Sequence, residues 1–119
     1  MDAKELGLLG ENMAVDFLKK KGFDIQDRNW RFGKIEIDII ARLNGTTIII
    51  EVKTRENSHA GEPWEFVTRK KQRRIITAAH EYVIQKELEG DTRFDIVSIV
   101  YNSKYQRVEH IEEAFFPML

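Results

Sequence analysis

Asp38, Glu51 and Lys53 are the residues of this chain whose types and spacing could do chemistry. Two carboxylates brought together repel unless a cation lies between them, and oxygen ligands of this kind suit a hard divalent ion such as magnesium or manganese. With a lysine ammonium alongside, the expected chemistry is metal-assisted hydrolysis of a phosphodiester. What would bring these residues together is a hairpin. Lys34–Arg42 and Thr47–Thr54 are alternating runs rich in β-branched residues, joined through Leu43-Asn44-Gly45-Thr46. Asn-Gly between two such runs is the strongest short hairpin signal a sequence carries.

A turn centred on Asn44 and Gly45 pairs Leu43 with Thr46, Ala41 with Ile48, Ile39 with Ile50 and Ile37 with Val52, giving one apolar face. Strict alternation then puts Ile40 opposite Ile49, Asp38 opposite Glu51 and Glu36 opposite Lys53 on the other face. Facing partners stand about 4.5–5.5 Å apart at Cβ, where like charges are destabilising unless neutralised. The competing reading is a solvated sheet face, with Lys53 paired to Glu36 and the acids pointing into water. Ile40 and Ile49 on that same face argue against full exposure.

At 119 residues the chain is expected to be one domain, residues 1–119, with a single core. Hydrophobic residues make up 42% and charged residues 33%, the balance of a folded globular protein. Neither a membrane-length apolar run nor a signal-peptide pattern is present, so a cytoplasmic chain is expected. The absence of cysteine excludes disulfides and thiolate metal sites, and His59, His80 and His110 show no metal-ligand spacing. A net charge of −1 gives no general pull toward nucleic acid. Arg69, Lys70, Lys71, Arg73 and Arg74 nevertheless form a dense local run of cations, and local fields decide where a polyanion docks.

The elements that must position these residues follow from periodicity. Leu6, Leu9, Met13, Ala14, Phe17 and Leu18 recur at helical spacing from Ala3 to Lys21, ahead of Gly22 as C-cap. A strand is expected from Phe23 to Trp30, then the hairpin, then a loop over residues 56–62. A second helix is predicted from Arg69 to Leu88, with Thr68 as N-cap and Ile75, Ile76, Ala79, Tyr82, Val83 and Ile84 as its buried stripe. Phe94–Tyr101 reads as a central strand, followed by a last strand from Tyr105 to Ile111. The order αβββαββ predicts an α/β fold, a mixed β-sheet flanked by helices.

Gly10-Glu11, Glu36-Ile37-Asp38 and Glu51-Val52-Lys53-Thr54-Arg55, with Asn29-Trp30-Arg31, the Lys71–Tyr82 helix and Phe94-Asp95-Ile96-Val97, carry a resemblance over nearly the whole chain. The chain resembles the YraN-like family of small bacterial proteins, which is similar to the PD-(D/E)XK nucleases and closest among them to archaeal Holliday-junction resolvases. The resemblance implies a restriction-endonuclease-like sheet and an endonuclease acting on DNA rather than RNA, including branched or structured DNA. It implies that Asp38, Glu51 and the carbonyl of Val52 hold Mg²⁺ or Mn²⁺, that Lys53 orients or deprotonates the attacking water, and that Glu11 completes the acidic cluster. It also implies a homodimer. The superfamily's proline before the aspartate is Ile37 here. The alternative function is a nucleic-acid-binding or partner-binding module that keeps the fold without turnover.

Spacing alone leaves Glu11 at the margin of the helix stripe, either an exposed charge or a group directed over the sheet. Arg69, Lys70, Lys71, Gln72, Arg73 and Arg74 are candidate nucleic-acid contacts, against the reading of a solvated helix face. Cations in a first helical turn oppose the macrodipole, so their placement asks for a nearby anion. Trp30, Phe32 and Trp64 flank the acids in sequence and are candidates for base stacking or, as in most small domains, core packing. Asp95, at a strand start, is left outside the site.

Overall fold

Asn44 and Gly45 both adopt positive φ, 49° and 82°, which is what a two-residue turn matched to strand twist requires. The computed structural model describes residues 1–117. Around that turn the hairpin forms in the expected register, from Leu43 opposite Thr46 to Ile39 opposite Ile50. The elements are α1 (Ala3–Lys20), β1 (Asp24–Phe32), β2 (Ile35–Leu43), β3 (Thr46–Arg55), a 3₁₀ turn (Pro63–Phe66), α2 (Arg69–Gln85), β4 (Thr92–Tyr101) and β5 (Gln106–Phe115). The five strands lie in the order β1-β2-β3-β4-β5. All neighbours are antiparallel except β3 and β4, the parallel pair that α2 connects. The fold is therefore the expected mixed sheet flanked by helices.

The sheet is covered on both sides, so its central strands have no solvated face. Ile39, Ala41, Ile48, Ile50, Val97 and Ile99 pack with Ala14, Val15 and Leu18 of α1. Ile37, Ile40, Ile49, Phe94 and Ile96 pack with Ile75, Ala78, Ala79 and Tyr82 of α2. The second cover explains why Ile40 and Ile49 could share a face with acids. α1 closes as expected: Gly22, at φ 91°, donates to the Lys19 carbonyl while the Phe23 N–H donates to Leu18, both at 3.0 Å. Thr68 Oγ1 caps α2 by accepting the Lys71 N–H at 3.2 Å.

Four boundaries differ from expectation. Phe23 is consumed by the helix cap and buried, so β1 begins at Asp24 and runs on to Phe32. Pro63–Phe66 is a 3₁₀ turn closed by reciprocal Glu62 and Glu65 capping. α2 stops at Gln85, and Ile84 is 55% exposed because its last turn has left the sheet. β5 continues to Phe115 across a bulge. Asp95 sits at that bulge, fully buried, accepting from Arg93, from the Glu113 N–H and from His110 Nε2 at 2.7 Å. Lys21 Nζ lies 2.7 Å from His110 Nδ1 and can only donate, so His110 offers its Nε2–H to Asp95. Asp95 thus clasps β4, β5 and the end of α1 and leaves no oxygen for a ligand.

The buried line of α1 is Leu6, Gly10, Ala14, Val15 and Leu18, while Leu9, Met13 and Phe17 are only half-buried. The helix is rotated from the expected stripe because Gly10 presses against β3: a Cβ there would overlap Thr54 Oγ1. Gly10→Ala should therefore lower stability by ~1–3 kcal/mol, the usual cost of overpacking, with partial recovery when Thr54→Ala is added. Thermal unfolding of both variants measures this; a Gly10→Ala protein as stable as wild type would mean that α1 is free to ride higher.

Candidate functional site

The main-chain pairing of β2 with β3 stops at Ile39 and Ile50. One step further, the Val52 N–H donates not to a strand carbonyl but to Asp38 Oδ2, at 2.8 Å. The alternation of β2 breaks at the same place, since Ile37 packs on the α2 side while Ile39 packs on the α1 side. This corrects the expected single apolar face running through Ile37. The strands part, and the carboxyl of Asp38 fills the gap between them, still beside Glu51 as expected.

Glu51 is buried, 5% exposed. Its Oε2 has no hydrogen-bond partner among the described residues, although Lys71 Nζ of α2 stands 3.4 Å away at ion-pair range. Burial first, then the hydrogen bond and charge of Glu51, push the Asp38 carboxyl up to about 9, against the pull of the Val52 N–H and Lys71. In the metal-free protein Asp38 accordingly keeps its proton at neutral pH, as a buried carboxyl beside a second acid does.

A second group of acids meets Asp38 from the α1 side. Oxygen atoms of Glu11, Glu36 and Asp38 lie within 4.8 Å of one another. Asn29, at φ 51°, holds two of them: its Nδ2 donates to Glu11 Oε1 at 2.9 Å and to Glu36 Oε1 at 3.3 Å. Burial raises the Glu11 carboxyl and the Asp38 charge adds to this, while the Asn29 hydrogen bond opposes both. Glu11 is thus directed over the sheet, the second of its two readings. Glu36 was expected opposite Lys53 but pairs with Arg31 at 2.7 Å. Lys53 makes no ion pair among the described residues.

Glu11, Asp38, Glu51, Val52, Lys53 and Lys71 line one cavity of about 590 Å³, together with Thr54, Arg55, Asn57, Phe66 and residues at the start of α1. The basic run does not act as a block. Helical spacing turns Lys71 into this cavity, while Arg69, Gln72 and Arg73 line a separate cleft with Ile76, Thr77, Phe116 and Pro117. Gln72 is further tied to the Val67 carbonyl at 3.2 Å. Lys70 and Arg74 are exposed and line neither cavity. The anion that the α2 cations require is, for Lys71, Glu51 itself. Of the aromatic candidates, Trp30 packs edge-on against Tyr82 at 5.1 Å, and neither Phe32 nor Trp64 lines the cavity.

The profile of the uncharacterised protein family UPF0102 matches residues 10–99. The chain belongs to the UPF0102 family. It is 43% identical to a UPF0102 protein of Flavobacterium psychrophilum over 94% of both chains. It is also 43% identical to one of Bacteroides fragilis, over 96% of this chain and 94% of that one, and 42% identical to one of Geobacter metallireducens, over 94% and 93%. The matched UPF0102 region opens on Gly10 and Glu11 and holds Glu36, Asp38, Glu51, Lys53 and Lys71.

Asn29, Glu36 and the Lys71–Glu51 contact escaped the sequence reading. Asn29 faces the acids only because β1 carries its left-handed residue opposite the break in β2, and nothing local in the sequence marks that break.

The proton held by Asp38 has a pH signature. Asp38 has an ordinary value of 3.8, while the folded protein holds its proton up to about 9. Between those limits the folded state binds the extra proton, so rising pH lowers the stability of the metal-free protein, by at most ~1.4 kcal/mol per pH unit for one proton. Asp38→Asn keeps an acceptor for Val52 and offers a donor toward Glu51, so it should remove that slope. In EDTA the Tm advantage of the variant over wild type is expected to grow from about pH 5 to about pH 9. A flat difference would show that Asp38 holds no proton over that range.

Proposed function

We propose that this UPF0102 protein is a metal-dependent phosphodiesterase that cleaves DNA, with Asp38, Glu51 and Lys53 at its centre. The observation that carries the reading is the buried Oε2 of Glu51 beside Asp38, which makes no hydrogen bond among the described residues and faces only the ion-pair contact of Lys71 at 3.4 Å. Such an atom is costly to a fold unless something binds it. An all-oxygen donor set without cysteine or histidine fits Mg²⁺ or Mn²⁺. Asp38 and Glu51 would hold the ion with the Val52 carbonyl, and Glu11 and Glu36 supply the further acids on the α1 side. When bound, the ion supplies Lewis acidity at the phosphoryl oxygens and a water of lowered pKa.

The chain's own residues supply the rest. Lys53, which lines the same cavity as the acids, serves to hold the attacking water or the scissile phosphate. Lys71 neutralises Glu51 while the site lacks a cation, and is free to meet a phosphate once that charge is compensated. The sheet and both helices hold these groups in place before substrate arrives, which is the condition for electrostatic catalysis of phosphoryl transfer.

Calorimetry with Mn²⁺ should show binding that weakens about 10–100-fold or more in Asp38→Asn and Glu51→Gln. With Mg²⁺ or Mn²⁺, the wild-type chain should cut at least one of four-way-junction, flap, single-stranded and duplex DNA, and Glu51→Gln should be slower by about 10²-fold or more. Cleavage that survives loss of Glu51 would belong to a contaminant and end the proposal. Carboxylate-dependent Mn²⁺ binding with no cleavage of any substrate would favour the binding-module reading.

A further inference from the structure

The cavity has a wall that the hydrolytic chemistry leaves unused. Phe66 ends the 3₁₀ turn and lines the cavity, with 37% of its surface exposed. The guanidinium of Arg55, at the end of β3, lies over the ring with Cζ 4.3 Å from its centroid. Arg55 makes no ion pair among the described residues, so its charge is not committed to any carboxylate. Arg55 is two residues beyond Lys53 on the same strand and lines the same cavity.

The segment that carries Phe66 is tied to the sheet and to α2. The Trp64 N–H donates to Ser98 Oγ of β4 at 3.1 Å, and the Glu62 N–H to Glu65 Oε2 at 2.6 Å. Val67, directly after Phe66, is buried, and Gln72 of α2 binds its carbonyl. A single exposed aromatic needs no explanation. A ring stacked on a guanidinium that makes no ion pair, in the cavity that also holds the acids, is a combination that suits a nucleotide. Aromatic faces and arginine planes both stack bases, and the arginine charge suits the adjoining phosphate.

We propose that Arg55 and Phe66 form a stacking site for an unpaired nucleobase of the strand being cut, so that the protein takes single-stranded or flap DNA in preference to continuous duplex. This rests on the phosphodiesterase reading for the identity of the strand. In a duplex both faces of each base are covered by neighbours, so only an unpaired base can enter such a stack.

The test uses the full chain with Ca²⁺ in place of Mg²⁺, titrated into a thymidine oligonucleotide carrying one 2-aminopurine, as single strand and as duplex. The wild type is expected to quench 2-aminopurine in the single strand and to bind it more tightly than the duplex. Phe66→Leu should lose the quench and about tenfold in single-strand affinity, within the range measured for base stacking, while its Mn²⁺ binding by calorimetry is unchanged. Phe66→Trp should retain the quench, and His80→Ala, exposed on α2, should match wild type throughout. Equal affinity for the two DNA forms, or a Phe66→Leu affinity within about twofold of wild type, would overturn the stacking site. Hydrolysis of bis(4-nitrophenyl) phosphate with Mn²⁺ reads the chemistry separately. Hydrolysis without quench removes the stacking site alone; quench without hydrolysis removes the phosphodiesterase reading alone.

Discussion

The proximity of Asp38 and Glu51 is the constraint around which the rest of the molecule is arranged. Two carboxyls meeting where β2 and β3 part are held by a main-chain N–H and a lysine from α2, with Glu11 of α1 and Glu36 of β2 close to Asp38. Left to water, such a pair would separate. Here it cannot, because the strands carrying it are clamped by isoleucines that are fully buried on both faces. The pair therefore answers in the two ways open to it, by keeping Asp38 protonated and by drawing in Lys71. A divalent cation would replace both.

The break in the ladder is what makes the pair accessible. A regular hairpin would have spent the Val52 N–H on β2 and turned Asp38 squarely onto the α2 core. With Asp38 Oδ2 taking that N–H, the carboxyl lies in the plane of the gap and is reached from both sides of the sheet. From the α1 side the approach depends on Gly10, whose missing side chain lets the helix settle onto Thr54 and brings Glu11 down to Asn29 and Asp38. From the other side it depends on the cap at Thr68, which starts α2 at the point that turns Lys71 toward Glu51.

The elements that local chemistry dictates were legible in the residues. Asn44-Gly45 specified the turn and hence the register from Leu43–Thr46 to Ile39–Ile50. Gly22 and Thr68 marked helix ends because each answers a local backbone need. The errors fall where a distant partner decides. Ile84 has the periodicity of a buried residue but lies beyond the reach of the sheet, and Ile37 changes faces because the strand breaks beside it. The run Arg69–Arg74 is continuous in sequence and dispersed in space, since a helix rotates successive side chains around its axis.

By itself the sequence determined the hairpin, its register as far as Ile39 and Ile50, and the order of helices and strands, because turn geometry and side-chain alternation propagate over a few residues without outside help, and that register carries Asp38 and Glu51 to the same end of the hairpin. Only the tertiary structure decided that Glu11 and Glu36 face Asp38, that Lys71 alone of the basic run reaches the acids, and that Phe66 rather than Trp64 lines the cavity. Those outcomes depend on how closely α1 and α2 seat on the sheet and on where the ladder parts. Both are settled by packing between residues far apart in the chain, which no local pattern records.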